Sequence, residues 1–513
     1  MTTETLREYP LTPAQLGMLV HYLMLDEPGQ REVYFDQHVS VLGPLDPAVL
    51  ERAWRRLQAR HEALRTSFDT DSETPRQIVH PVDSAEVPFL WQVHDWRDLS
   101  SEERERRLVE FEIADQQQAF DLTQAPLSRV ALFRFGEDEW RQVWSFSHFV
   151  LDGWAMTLLV GELAEFYSAE IQGREPELEI VPPFSEFAEW FEGRDVAAAE
   201  EYWTRSLRGL DVPTAIPFDG SGGTSSEPDL PWIVDEVKRF IPAAKFADVQ
   251  ALARRAEATV NTVIQAVWAL ALSRSAGTPD VCSGVVSSGR PYEIEGVDAM
   301  IGMFVIALPM RVVLDESESV RALLGRLQSD QFEQRENEQV TWSELTAWAG
   351  VPRTTQIFES LLVYENYPLD TVRDTAELDF QSVRLREAGG FAVTIFVTPL
   401  PTGFEFRLTY DWSRFGQREA ERLLEMLENG LLAAAANPFA RLNDLSFVSE
   451  VEKREILALS QGVPAESASH FVSIPSAVSE RAALAPDAIA VEAAGEFEQR
   501  LVAARDDIGD DFC

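Results

Sequence analysis

The sequence predicts a mixed helix-and-strand protein in two successive lobes with a shorter third segment behind them. Three observations predict it. Apolar runs of strand character alternate with helix-period patterns in two long stretches, before and after residue 178. Between those stretches, Gly173-Arg174-Glu175-Pro176 and Pro182-Pro183 break both patterns. In the last segment, Gln461 to Ser469 is small and polar, as linkers are. The predicted divisions are residues 1–178, 179–450 and 451–513. A chain of 513 residues accommodates about two to four domains, each with its own core.

In the first stretch, Val39-Ser40-Val41-Leu42-Gly43 reads as a strand. Asp46 caps the helix that follows, with Pro47 in its first turn. Val49, Leu50, Ala53, Trp54 and Leu57 recur at helical spacing and form that helix's buried face. Further strands are expected at Phe89 to Val93, Ser128 to Phe135 and Gln142 to His148. A helix follows from Gly153 to about Ala169, with Leu158, Leu159, Leu163 and Phe166 on one side.

The second stretch opens with helices in Phe184 to Leu207. Asp219 to Ser226, rich in glycine and serine, reads as a loop. Phe246 to Ala276 reads as one or two helices, with Val263, Ala266, Val267, Leu270 and Leu272 inward. Strands are expected at Val281 to Val286, Met303 to Val313, Ser360 to Tyr364, Phe391 to Val397 and Glu405 to Tyr410. A helix from Gln417 to Ala436 closes the lobe. Gln461 to Ser469 is a linker, and Phe471 to Val491 looks like the start of a further domain that the remaining residues do not complete.

Composition narrows the function. With 44 Lys+Arg against 86 Asp+Glu, the net charge of -42 repels nucleic-acid phosphates and anionic membrane surfaces. Two cysteines, Cys282 and Cys513, build neither a disulfide framework nor a cysteine-rich zinc site. The N-terminus has no signal-peptide pattern and no apolar run is long enough to span a membrane, so a cytoplasmic protein is expected. No phosphate-binding G-x-x-x-x-G-K-[ST], no H-E-x-x-H and no G-x-S-x-G occurs.

Histidine placement is the sharpest constraint. The seven histidines are His21, His38, His61, His80, His94, His148 and His470, so a histidine base must come from the first lobe. His61, at a helix C-terminus, has a structural explanation in the helix dipole. His148 ends a strand-like run, and Asp152-Gly153 then opens a helix. This places an imidazole beside oriented backbone N–H groups, which is what acyl transfer needs. Asp152 reads equally as a helix cap or as the holder of a buried arginine.

Several separated motifs, in order, resemble the condensation domains of nonribosomal peptide synthetases from about Tyr9 to about Ile456. Leu11-Thr12-Pro13-Ala14-Gln15 resembles the family's opening motif, and Arg60 to Phe68 its second. Ser147 to Gly153 matches its H-H-x-x-x-D-G except at the first position. Phe184 to Trp190, Ser288-Gly289-Arg290-Pro291, Ile301 to Val305 and Phe358 to Pro368 follow. Phe471 to Val491 is similar to the opening of an adenylation domain.

The resemblance implies an α+β fold, an α/β sandwich, as two chloramphenicol-acetyltransferase-like lobes in a V-shaped pseudo-dimer with a tunnel between them. It implies no directly bound cofactor and no metal. Substrates arrive on the phosphopantetheine arms of an upstream donor and a downstream acceptor peptidyl carrier protein. A monomer with an adjacent adenylation domain is expected. By residue, His148 corresponds to the catalytic histidine, which holds or deprotonates the attacking amine. Gly153 offers an oxyanion-binding N–H. Asp152 and Arg290 correspond to a structural ion pair, with Ser147 in the same motif. Trp154, Ile306, Tyr364, Gly390 and Phe391 are placed along the substrate channel.

Val33 to Gln37, the Phe184 block and Tyr364 to Pro368 resemble domains that join an L-donor to an L-acceptor. Ser147 stands where the family has its first histidine, Ile306 where it has an asparagine, and Gly389 to Ala392 replace a more polar, aromatic stretch. Drift in a working enzyme, a reshaped pocket or lost activity each account for them. Amide formation is therefore weighed against ester formation or other acyl transfer, and against a non-catalytic recruitment module.

Overall fold

The computed structural model describes residues 6–24, 34–72, 74–210, 213–218, 220, 234–353, 355–365, 377–387, 390–460, 476 and 483–484. The chain divides into two compact units, residues 1–447 and 448–513. In the second unit, Glu450–Ser460 is a helix. The linker expected at Gln461 to Ser469 lies outside the described residues, as does nearly all of the further-domain start at Phe471 to Val491.

The first unit is built on two main sheets. The first runs in the order Phe380–Glu387, Phe35–Leu42, Trp140–Ser147, Ser128–Arg134, Trp91–Asp95. Its first three contacts are antiparallel and its last is parallel. The second runs Ile306–Val313, Asp280–Ser287, Ser360–Tyr364, Val393–Leu400, Gly403–Asp411, Val234–Pro242. A small third sheet joins Arg7–Pro10, Arg76–Val79 and Thr66–Asp69.

Each main sheet carries helices on an apolar face. On the first, the helix Pro47–Arg60 buries Val49, Leu50, Ala53, Trp54 and Leu57, the face that its periodicity predicts. The Asp46 carboxylate accepts from the N–H groups of Ala48 and Val49, and Pro47 occupies the first turn. On the second, the segment Phe246 to Ala276 is two helices, Ala243–Arg255 and Val260–Ala276. All five residues expected to face inward there are buried.

Two segments cross between the sheets. Ile301 and Met303 belong to the core of the first sheet, with Trp54, Trp144 and Phe149, although they lie late in the chain. Phe380–Glu387 supplies the first sheet's edge strand, pairing with Phe35–Leu42. Division at residue 178 therefore fails for this strand, which its place in the chain assigns to the second lobe. The expected strand from Met303 starts instead at Ile306, because the residues just before it are drawn onto a buried carboxylate. The loop expected at Asp219 to Ser226 falls almost wholly outside the described residues. Among the described residues, no helix is long and apolar enough to cross a membrane.

Candidate functional site

The site grows out of the end of the strand Trp140–Ser147. This strand pairs with Phe35–Leu42, with Ser147 opposite Phe35. One residue on, His148 leaves the sheet, and its N–H donates to the Tyr34 carbonyl at 2.8 Å. Its ring lies beside the same neighbouring strand: Nδ1 is 2.8 Å from Asp36 Oδ2, within ion-pair distance but at an angle that falls short of a hydrogen bond. The Asp36 side chain is 8% exposed and the His148 side chain 30%, so a buried anion backs a ring that reaches solvent.

Ser147 is buried, and its Oγ accepts from the Phe149 N–H at 3.4 Å. It borders a small recess with Tyr22, Tyr34, Phe35, Phe120 and Phe149. The opening motif braces the other side of this loop. Gln15 Nε2 donates to the Phe149 carbonyl at 3.0 Å, and Gln15 Oε1 accepts from the Thr12 N–H at 2.9 Å.

Asp152 caps the helix Gly153–Gln172, its Oδ1 accepting from the Ala155 N–H at 2.7 Å. Its Oδ2 accepts from the N–H groups of Phe304 at 3.0 Å and Val305 at 3.2 Å. One carboxylate thus satisfies donors from the helix and from a crossing segment. Arg290 approaches Oδ1 at 3.8 Å, so the two charges are neighbours while the hydrogen bonds of Asp152 run to backbone. Arg290 Nη1 donates to the carbonyls of Val297 and Met300, the latter at 2.9 Å. Its guanidinium lies 4.1 Å from the Phe304 ring centroid. Burial pushes the Arg290 guanidinium below its ordinary range, opposed by Asp152 and Asp298.

Gly289 makes this approach possible. Its φ is +62°, and a Cβ there would meet the Phe304 carbonyl oxygen at 1.9 Å. Gly153 is the first residue of the helix, so its N–H has no intrahelical acceptor by position and points with the positive end of the helix dipole. Trp154 is pinned by its Nε1, which donates to the Asp298 carbonyl at 2.9 Å.

The structure thus gathers Ser147, His148, Asp152, Gly153, Trp154 and Arg290 around one turn. The remaining residues expected along a channel lie with the second sheet. Ile306 is 5% exposed within that sheet's core, opposite Ser287. Phe391 stacks on Phe358 at 5.3 Å, and Tyr364 packs against the same core. Burial pushes the Tyr364 phenol above its ordinary range. Gly390 sits in the bend before Val393–Leu400.

Sequence reasoning passes over Asp36. It lies in the block Val33 to Gln37, but its link to His148 depends on strand register, which no local pattern reveals. Two residues along the same strand, on the same face, is His38. Burial holds its imidazole down to about 4, against the opposing charge of Asp36.

Comparison with known proteins decides what this site belongs to. Residues 5–457 match the condensation-domain family. The chain belongs to that family. The domain is 35% identical over 454 residues to one of the linear gramicidin synthase proteins of Brevibacillus parabrevis, covering 88% of this chain and 6% of that protein. The chain therefore spans a small part of the relatives it matches. Among solved structures, the first condensation domain of the CDA synthetase superposes with a TM-score of 0.70 at 22% identity, over 86% of this chain and 99% of that one. The X-domain from teicoplanin biosynthesis gives 0.69 at 23% identity, over 87% and 99%. At these identities the likeness shows the fold alone: α+β and chloramphenicol-acetyltransferase-like, as the sequence predicts.

Proposed function

We propose that the turn from Ser147 to Trp154 is the reaction centre of this condensation domain, with His148 acting on the acceptor amine. The observation that supports this is the setting of His148. It is part-exposed at a strand end, its backbone N–H is tied to the Tyr34 carbonyl, Asp36 stands beside its ring, and a helix N-terminus stands a few residues on. In the reaction, the acceptor amine attacks the carbonyl carbon of the donor thioester. The carbonyl oxygen takes the developing negative charge and the Gly153 N–H stabilises it. The C–S bond then breaks, and the proton lost by the amine, held at His148, passes to the departing thiolate. Holding the amine in line and accepting its proton are both open to one imidazole; positioning contributes at least as much as base catalysis.

In this reading Asp152 and Arg290 touch no substrate. They fix the turn to the crossing segment at Phe304 and Val305. The substrates are carrier-bound acyl groups on phosphopantetheine arms, with no cofactor held by the domain itself. The partners are an upstream donor carrier, a downstream acceptor carrier and an adenylation domain adjacent to residue 471. The L-donor, L-acceptor subtype and the channel roles of Trp154, Ile306, Tyr364, Gly390 and Phe391 belong to the same proposal, as does cytoplasmic residence.

The test is reconstitution with donor and acceptor carriers loaded from a panel of L-aminoacyl thioesters, following dipeptidyl product by mass spectrometry. Product is expected from the wild type and not from His148→Ala. Equal product from both removes His148 from the mechanism. Offering hydroxyacyl acceptors in parallel separates amide from ester formation. A recruitment module predicts binding without product. Ser147, which motivates that reading, is buried, and its Oγ accepts from the Phe149 N–H.

A further inference from the structure

We infer that Asp36 is a positioning residue for His148, holding its ring in the Nδ1–H tautomer so that Nε2 is the nitrogen presented to the acceptor amine. The inference rests on the reading of His148 as the group that acts on the amine.

Three features support it. The first is distance: Asp36 Oδ2 is 2.8 Å from His148 Nδ1, and a carboxylate at that range accepts a proton-bearing nitrogen and opposes a bare one. The second is a shared anchor. Tyr34 and Asp36 lie close together on one segment, the first holding the backbone of His148 and the second its ring. The imidazole is therefore placed by a rigid strand rather than by the loop that carries it. The third is charge. Asp36 is buried, and a buried carboxylate gains most from a cation that forms beside it. His38, the other histidine near it, is kept neutral by burial. When the amine proton moves onto Nε2, the imidazolium forms against Asp36, and the strand has already paid the cost of orienting that charge. The contact is short of linear before substrate arrives, as such contacts commonly are.

The experiment uses the full chain with loaded donor and acceptor carriers and compares wild type, Asp36→Asn, Asp36→Ala and His148→Ala. Folding of each variant is checked by thermal melts. Asp36→Asn and Asp36→Ala are expected to lower kcat by roughly 10–100-fold with the acceptor KM little changed, because orientation and proton affinity are lost rather than binding. In the wild type, nitrogen-15 NMR of labelled histidine is expected to show His148 as the Nδ1–H tautomer. That measurement needs no variant, so a poorly folding Asp36→Ala leaves the inference testable. A wild-type His148 in the Nε2–H tautomer overturns it. So does Asp36→Asn working at the wild-type rate while His148→Ala is inactive. If His148→Ala keeps full activity, the reading of His148 fails and takes this inference with it.

Discussion

His61 and His148 both sit beside a carboxylate, and they differ in what that pairing leaves them able to do. His61, in the Arg60 to Phe68 block, ends the helix Pro47–Arg60 and places Nε2 2.6 Å from Glu162 Oε2. Arg60 reaches the same carboxylate oxygen at 3.0 Å. The His61 ring is 5% exposed and locked between two helices. His148 keeps a similar distance to Asp36 but is 30% exposed and stands beside a helix N-terminus. A carboxylate partner is thus no mark of chemistry by itself. Exposure and a neighbouring set of oriented donors separate the imidazole proposed to act on substrate from the one that braces two helices.

Mutation puts that contrast at risk. The largest expected effect is on His148→Ala, which should lose ~10²-fold or more in product formation while the melting curve stays near that of the wild type. His61→Ala should do the reverse, losing about 1–3 kcal/mol by urea unfolding and keeping its activity per folded molecule. A swap of those two outcomes would falsify the distinction.

Next is Asp152→Ala, which strips a buried carboxylate from the helix cap, from Phe304 and Val305, and from Arg290. A loss of about 3–5 kcal/mol is expected by chemical denaturation, with activity falling in proportion to folding. Asp152→Asn keeps one acceptor and should lie between the two. A stable but inactive Asp152→Ala would instead assign Asp152 to the chemistry.

His38 provides a smaller, pH-dependent effect. Its imidazole is held down to about 4 in the folded state, against an ordinary 6.5. Between those values the unfolded chain binds a proton that the folded chain does not, so stability falls as pH is lowered through that window. The contribution is of order 1.4 kcal/mol per pH unit, and full above the window. Denaturant midpoints across the window should show a shallower slope for His38→Leu than for the wild type. The smallest effect is expected from Ser147→Ala. Its bond to Phe149 is long, so a change below about 1 kcal/mol and activity within about twofold of wild type are expected. A tenfold loss of product there would give Ser147 a role beyond bracing the loop.

Much of this is legible in the sequence where local rules operate. The Asp46 cap, the buried face of its helix and the helix Gln417–Ala436 follow from periodicity and capping alone. His148, Asp152 and Arg290 are singled out because separated motifs point to them. What cannot be read is set by register and crossing. Asp36 meets His148 only because Phe35 pairs with Ser147. Met303 to Val305 look like a strand by composition, yet the Asp152 carboxylate claims two of their N–H groups. Ile306, proposed along the channel, also packs in the second core, which strand spacing alone does not announce. The strand Phe380–Glu387, with Arg384 paired to Glu112, carries no alternation strong enough to announce which sheet it joins.

That last strand has a consequence for synthesis. During translation, Phe35–Leu42 emerges long before the segment that pairs with its outer edge. At ordinary elongation rates the delay is on the order of tens of seconds, during which the edge presents unpaired backbone groups. Asp36 lies on the strand whose outer edge stays unpaired until then, so the strand beside the ring of His148 gains its outer neighbour only late in the birth of the chain. A nascent chain arrested short of residue 380 should therefore show an incomplete first sheet, and severing the gene between the two lobes should yield a first half that lacks its own border.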